Sequence, residues 1–316
     1  MRVVTQQEFG GPEVLRVIET DRPTPGPTEV LVRVHAAGIN PVDWKTRAHE
    51  VFMGRPPYTL GWDVSGVVEE LGFGATGVDV GDEVLGMPLF PKQAAAYADY
   101  VVAPSRHFVR KPKRLSHVEA AALPLAGLTA WQALVDVADV QPGQRVLVDG
   151  AAGGVGHLAV QIAKARGAYV LGTASAPKHE FLRSIGVDEP VDYRDPDATV
   201  SDLDVLAATV GGESTLRWLP AVRGGGIVVT VAASELDAPG VRHRQVLVEP
   251  DQIGLAGLVG LVEKGQLKVH VEQAFPLEEA GKAHELGEGG RVTGKLVLTV
   301  AHPSPTATLN GDAARR

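Results

Sequence analysis

Gly150, Gly153 and Gly156 recur at every third position of "VLVDGAAGGVGHLAVQIAKARGAYVLGTAS", residues 146–175. Glycines at this spacing let a backbone approach a phosphate. A helix that begins directly after them turns free N–H groups and the positive end of its dipole toward the same charge. The chemistry this suits is dinucleotide binding; the competing reading is a turn in which glycine only satisfies a positive φ. Sites for NAD carry an Asp or Glu at the end of the next strand, on the ribose 2′-hydroxyl. Here that place holds Thr173, Ala174 and Ser175, followed by Lys178. A hydroxyl and a cation suit a 2′-phosphate, which a carboxylate would repel, so the pattern points to NADPH. The alternative for Lys178 is a solvated lysine at the start of a helix.

Other reactive patterns are missing. The chain has no cysteine, so disulfides, thiolate zinc sites, iron–sulfur ligation and cysteine nucleophiles are excluded. No Gly-x-Ser-x-Gly elbow occurs, and the ten histidines show no zincin spacing. His157, inside the helix after the glycines, reads as a helix-face residue rather than a base. The stretch "EEAGKAHE" reads as an exposed helix with paired charges.

The elements that must position these residues are legible from periodicity. Residues 2–110 run as short β-rich stretches between Gly- and Pro-rich turns, the texture of an irregular β-barrel. An Ala- and Leu-rich stretch from about residue 115 marks a boundary. Strands then alternate with helices, implying βαβ units and a parallel sheet: "RVLVDGA", a helix over 155–166, "AYVLGTAS", a helix around 178–185, "PVDY", "DVLAATVGG" and "GGIVVTVA". In the helix over 155–166, Val155, Leu158, Ala159, Ile162 and Ala163 form one apolar face. An apolar helix follows, "DQIGLAGLVGLVEKG", then "FPLEEAGKAHELGEGGRVTGKLVLTV".

With 316 residues, 44% hydrophobic and 22% charged, the composition is that of a globular protein of about two domains. A net charge of −8 repels nucleic acid and anionic membranes, so neither is expected as a partner. The start "MRVVTQQEFGG" has no secretory pattern and no apolar run is long enough to cross a bilayer, so a cytoplasmic protein is expected.

The motifs "AAGINPVDWK", "LGWDVSGVVEELG", "VGDEVLG", "AAALPLAGLTAWQAL", "GAAGGVGHLAVQIAKARGA" and "FPLEEAGKAH...GKLVLTV" occur in this order. Together they resemble the zinc-independent quinone oxidoreductase branch of the medium-chain dehydrogenase/reductase superfamily, over residues 2–300. The resemblance implies an α/β protein: a GroES-like β-barrel catalytic domain plus a Rossmann doubly wound parallel sheet. It implies a catalytic domain at 1–120, an NADPH-binding domain at 121–258 and a return to the first domain at 259–300; the tail 301–316 has no periodicity and little to bury, so it is expected to be disordered. Zinc-dependent relatives carry a Cys and a His where this sequence has Asn40 and Trp62, so no metal is expected.

The same resemblance puts Gly153, Gly154, Val155 and Gly156 on the pyrophosphate, Ser175, Lys178 and Tyr193 at the 2′-phosphate, and Thr129 near the nicotinamide. It directs Asn40, Asp43, Trp44, Lys45 and Trp62 to the substrate end. Asn40 would donate to a carbonyl or position the ribose, and Lys45 would stabilise an enolate or relay a proton. Five of them have a plainer alternative: Asp43 capping a helix, Lys45 in solvent, Trp44 and Trp62 in the core, and Tyr193 an interior or surface aromatic after a strand. Relatives often carry Asp before "TVGG", where this chain has Ala208. Without metal or thiol, the chemistry left is hydride transfer to a conjugated acceptor, a quinone or α,β-unsaturated ketone acting as the small-molecule substrate. Two other functions stay open: an NADPH-binding sensor with little turnover, and a pathway enzyme acting on one intermediate, as an enoyl reductase or a non-redox cyclase. A homodimer is expected from the resemblance, with the strand "GGGIVVTVA" offering its edge across a two-fold axis.

Overall fold

The structure is a computed structural model that describes residues 1–232 and 236–302. Along the chain it has β1 (Arg2–Gln6), β2 (Arg16–Glu19), β3 (Glu29–Ile39), α1 (Pro41–Ala48), β4 (Tyr58–Thr59), β5 (Val64–Leu71), β6 (Glu83–Gly86), β7 (Tyr100–Pro104) and β8 (Phe108–Arg110). Helices α2 (His117–Ala121) and α3 (Pro124–Trp131) lead into β9 (Arg145–Asp149), α4 (Gly156–Ala165), β10 (Tyr169–Ala174), α5 (His179–Ser184), β11 (Glu189–Asp192), β12 (Leu203–Ala208), α6 (Gly212–Trp218), β13 (Val222–Thr230) and β14 (Arg242–Gln245). The described chain ends with α7 (Gln252–Glu263), β15 (Val271–Pro276), α8 (Ala280–Glu288) and β16 (Lys295–Thr299).

Strands β9 to β14 form a six-stranded sheet in the order β11-β10-β9-β12-β13-β14, with every neighbouring pair parallel. Counted from its first strand this is 3-2-1-4-5-6, the doubly wound order, whose direction reverses between β9 and β12. Both faces are covered, so the strands read as continuous apolar runs rather than alternating ones. Val146 and Val148 of β9 enter the core shared with α3 and α4, while Leu147 enters the opposite core with Trp218 of α6. The apolar face assigned to α4 lies against this sheet, and every residue from Gly156 to Ala163 is buried.

The other half is organised around β3, an eleven-residue strand that pairs with β5, β7 and β16 in a seven-stranded sheet. A three-stranded sheet, β2-β1-β4, closes beside it. The chain therefore leaves this half after β8, builds the parallel sheet, and returns through β15 and β16. The antiparallel register of β16 on β3 pairs Leu296 with Ile39, so the residues just before and after them, Lys295 and Asn40, also stand opposite each other. One apolar cluster is common to both halves. It joins Trp62, Leu85 and Met87 of the first half to Val146, Leu158 and Val205 of the second.

Three expectations are corrected. Strand β13 offers no free edge, because it is hydrogen-bonded to β12 on one side and β14 on the other; the edge belongs to β14. The "EEAGKAHE" helix is not simply exposed: Lys282 pairs with Glu279 on its outer side, but Ala280, Ala283, His284 and Gly287 are buried. Ordered chain extends into the tail 301–316, since the Ala301 carbonyl accepts a hydrogen bond from Arg2 and His302 bonds the Val34 carbonyl. The rest of that tail lies outside the described residues.

Candidate functional site

A cleft of about 530 Å³ opens where the sheet order reverses and extends to the end of β3. Its first wall is the glycine turn after β9. Gly150 adopts φ of +74°, a left-handed conformation that favours glycine. A Cβ on Gly153 would meet only the Gly150 carbonyl, at 3.2 Å, so this face of the turn stands open to the cleft. Gly154 and Val155 also line it, and no hydrogen bond among the described residues takes up their backbone N–H groups. Gly156 has a different task. It does not line the cleft, and a Cβ there would sit 2.1 Å from the Gly150 carbonyl oxygen. Its hydrogen lets α4 start hard against β9, which corrects its assignment to the pyrophosphate.

The far end of β10 supplies Thr173, Ala174, Ser175 and Lys178 to the same cleft, and Tyr193 follows β11. The Thr173 hydroxyl is already engaged. It accepts from Gly150 N at 2.8 Å and donates to the buried Asp149 carboxylate at 2.7 Å, which braces the glycine turn. Lys178 Nζ donates to the carbonyls of Arg291 and Val292 at 2.8 and 3.2 Å, across the cleft. Burial lowers the pKa of Lys178; Glu272 pulls it back up and Arg194 pushes it further down. Arg194, its guanidinium 5.6 Å from the centre of the Tyr193 ring, is therefore a second cation at this end that the sequence reading passed over.

The opposite end is built on the turn from β3 into α1. Asn40 occupies the N-cap position, and the Asp43 carboxylate accepts its backbone N–H at 2.6 Å. The Asn40 side chain does not cap the helix. Its Nδ2 instead donates to Asp63 Oδ2 at 2.8 Å, and its Oδ1 accepts from Lys295 Nζ. Asp63 also takes the N–H of Leu125 at 2.7 Å, which secures the first turn of α3. Burial raises the pKa of Asp63 and lowers that of Lys295, and in each case the opposite charge on the other acts in the reverse sense. Asp43, also buried, is pushed up to about 7. Trp44 lines the cleft and packs against Gly287 of α8, where a Cβ would lie 2.7 Å from its ring.

Three more residues stand elsewhere than expected. Trp62 is fully buried in the cluster shared by the two halves, its indole N–H on the Lys92 carbonyl at 2.7 Å and its ring against Phe90. Lys45 is exposed, because α1 turns Asp43, Thr46 and Arg47 inward. Thr129 is buried in α3 and donates to the Leu125 carbonyl at 2.7 Å; from that helix Ala126, not Thr129, reaches the cleft. Asp63 and Lys295 went unassigned in the sequence.

Comparison with known proteins places this geometry. An alcohol dehydrogenase GroES-like domain matches residues 26–113 and a zinc-binding dehydrogenase domain matches residues 185–298. The quinone oxidoreductase of Homo sapiens is 32% identical over 324 residues, covering 94% of this chain and 97% of its own. The chain belongs to the quinone oxidoreductase branch of the medium-chain dehydrogenase/reductase superfamily. Among solved structures, the quinone oxidoreductase from Coxiella burnetii matches with a TM-score of 0.88 and 36% identity, over 95% of this chain and 99% of that one. The Escherichia coli quinone oxidoreductase complexed with NADPH matches with a TM-score of 0.85 and 26% identity, over 95% of this chain and 100% of that one. As a member of this branch the chain is an oxidoreductase. Its residues fit a dinucleotide: an open glycine face with two free N–H groups, cations at one end of the cleft and buried polar groups at the other. No group of His, Cys, Asp or Glu among the described residues could hold a metal ion. No described helix is long and apolar enough to cross a membrane.

Proposed function

We propose that this oxidoreductase uses NADPH to reduce a quinone or an α,β-unsaturated carbonyl compound. The observation that carries the reading is one continuous cleft with chemically distinct ends. Gly153, Gly154 and Val155 lead toward Ser175, Lys178 and Tyr193 in one direction, and toward Asn40 and Trp44 in the other. When bound, NADPH supplies a hydride. The protein's part is to hold the acceptor in line and to stabilise the charge that arrives on its oxygen. Asn40, half of whose carboxamide hydrogen bonds are internal, keeps an N–H for that oxygen. A conjugated acceptor suits such a neutral donor, because it spreads the incoming charge without a Lewis acid.

Ser175 and the paired cations Lys178 and Arg194 support NADPH over NADH. A charge-assisted contact to phosphate contributes roughly 1.5–3 kcal/mol, so the preference is expected on the order of tenfold or more. Steady-state NADPH oxidation with a panel of quinones and enones, together with titration of both cofactors, tests the proposal. The expected outcome is turnover with at least one acceptor, and Lys178→Glu bringing the two dissociation constants together. Equal affinities in the wild type would remove the cofactor assignment. Absence of turnover with every acceptor would move the weight to a sensor or a non-redox enzyme.

A further inference from the structure

We infer that Lys295, together with Asp63, is a positioning residue that holds the carboxamide of Asn40 in one orientation. The inference rests on the reading of Asn40 as the donor to the substrate. Lys295 is 3% exposed and Asp63 is fully buried, with Nζ 3.6 Å from Oδ2. The Asn40 carboxamide spans this pair: its oxygen takes the Lys295 ammonium and one N–H goes to the Asp63 carboxylate. Reversing the amide would turn its N–H groups on a cation and its oxygen on an anion, both repulsive and both shielded from water. A buried cation and anion on either side therefore leave the amide one stable orientation, with its second N–H free of any protein partner among the described residues.

Lys295 lines the cleft, but its ammonium is committed to protein partners. Its ammonium donors are taken by the Ile39 carbonyl at 2.8 Å, by Asn40 and by Asp63. Its stem lies over the glycine turn, with Cδ 3.1 Å from where a Cβ on Gly154 would stand. The residue before it anchors the same strand start to that turn, Gly294 N donating to the Ala152 carbonyl at 2.8 Å. The side chain thus runs from the phosphate-binding turn to the Asn40 carboxamide. Strand β16, register-paired with the end of β3, carries Lys295 into this span.

The test combines kinetics with a signal that needs no turnover. With NADPH and 1,4-benzoquinone, Asn40→Ala should lower kcat on the order of a hundredfold, as loss of a preorganised donor does. Lys295→Met should lower it roughly tenfold or more through misplacement of that donor, with NADPH affinity changed much less. In the Asn40→Ala background Lys295→Met should add little, because its effect passes through Asn40; Lys295→Arg should restore part of the rate. Multiplicative losses in the double variant, or wild-type kcat in Lys295→Met, would overturn the proposal. The sequence has only two asparagines, Asn40 and Asn310, so ¹⁵N-asparagine labelling isolates the Asn40 carboxamide. In the wild-type protein ¹⁵N relaxation should show a carboxamide as rigid as the backbone, with the proton bonded to Asp63 exchanging slowly with water, and Lys295→Arg should keep both properties. A mobile or fast-exchanging wild-type carboxamide would overturn the positioning role even if Lys295→Met does not fold. Lack of turnover in a wild type with a fixed carboxamide would instead count against the proposed function alone.

Discussion

At the scale of single residues, the glycines of the turn separate binding from folding. Gly153 faces open space apart from one carbonyl at 3.2 Å, so Gly153→Asp should fold while setting a carboxylate against the pyrophosphate. The expected result is an unchanged melting temperature with NADPH binding lost in a fluorescence titration. Gly156→Ala should do the reverse, since its Cβ would fall 2.1 Å from a backbone oxygen with no flexible side chain to yield. Overpacking of this kind costs about 1–3 kcal/mol, readable in chemical denaturation. Unfolding of Gly153→Asp, or a Gly156→Ala protein as stable as the wild type, would contradict the division of labour. The glycine turn was legible in the sequence because its partners lie within a few residues, but the sequence put Gly156 on the pyrophosphate and its packing role came only from the structure. Asp63 and Lys295 were not legible, because their significance comes from Asn40, 23 and 255 residues away.

At the scale of elements, two helices are fastened by histidines that the fold accepts only as neutral rings. His157 of α4 bonds the Gly153 carbonyl through Nδ1 at 2.9 Å and faces the backbone N–H of His270 with Nε2 at 3.3 Å. Nδ1 must therefore carry the proton and Nε2 must accept, and a second proton would confront an N–H. Burial holds this ring at about 4. His284 of α8 is held at about 3, facing Arg47 with Nδ1 and the Tyr97 hydroxyl with Nε2. With the folded pKa depressed below the ordinary 6.5, the unfolded chain takes up protons that the folded one refuses. Stability from these rings is complete above pH 6.5 and is lost as pH falls toward the folded values. For His157 the loss between pH 7 and 5 is roughly 2 kcal/mol. His157→Gln can keep both hydrogen bonds without titrating, so its denaturation free energy should fall less than the wild type's over that interval. Parallel pH profiles would refute the account. The helix carrying His157 was readable from its apolar period, whereas its bond to His270 was not, since β15 and β16 bring that segment back from beyond the parallel sheet.

At the scale of the whole molecule, the halves share one apolar cluster and jointly wall the cleft, so folding and cofactor binding are linked. Trp62 belongs to this scale: it packs in the cluster that runs from Leu85 and Met87 to Val146 and Val205 instead of meeting a substrate. The alternation of strands and helices could be read from periodicity, and the return of the chain to the first half was implied by the family resemblance. The joint core could not be read, because a buried tryptophan and a cleft tryptophan look alike in a one-dimensional pattern. A ligand bridging both halves can bind only the folded chain, and at one hundred times its dissociation constant it stabilises by about 2.7 kcal/mol. For NADPH, over a chain of 316 residues unfolding as one unit, this corresponds to a rise in melting temperature of roughly 4 °C. NADH at the same concentration, bound tenfold more weakly, should contribute about 1.4 kcal/mol and a correspondingly smaller rise. A single calorimetric transition that moves as one with NADPH, and less with NADH, is the expected outcome. Two transitions of which NADPH moves only one would mean that the shared cluster does not couple the halves, and that the cleft is effectively a site of the parallel-sheet half alone.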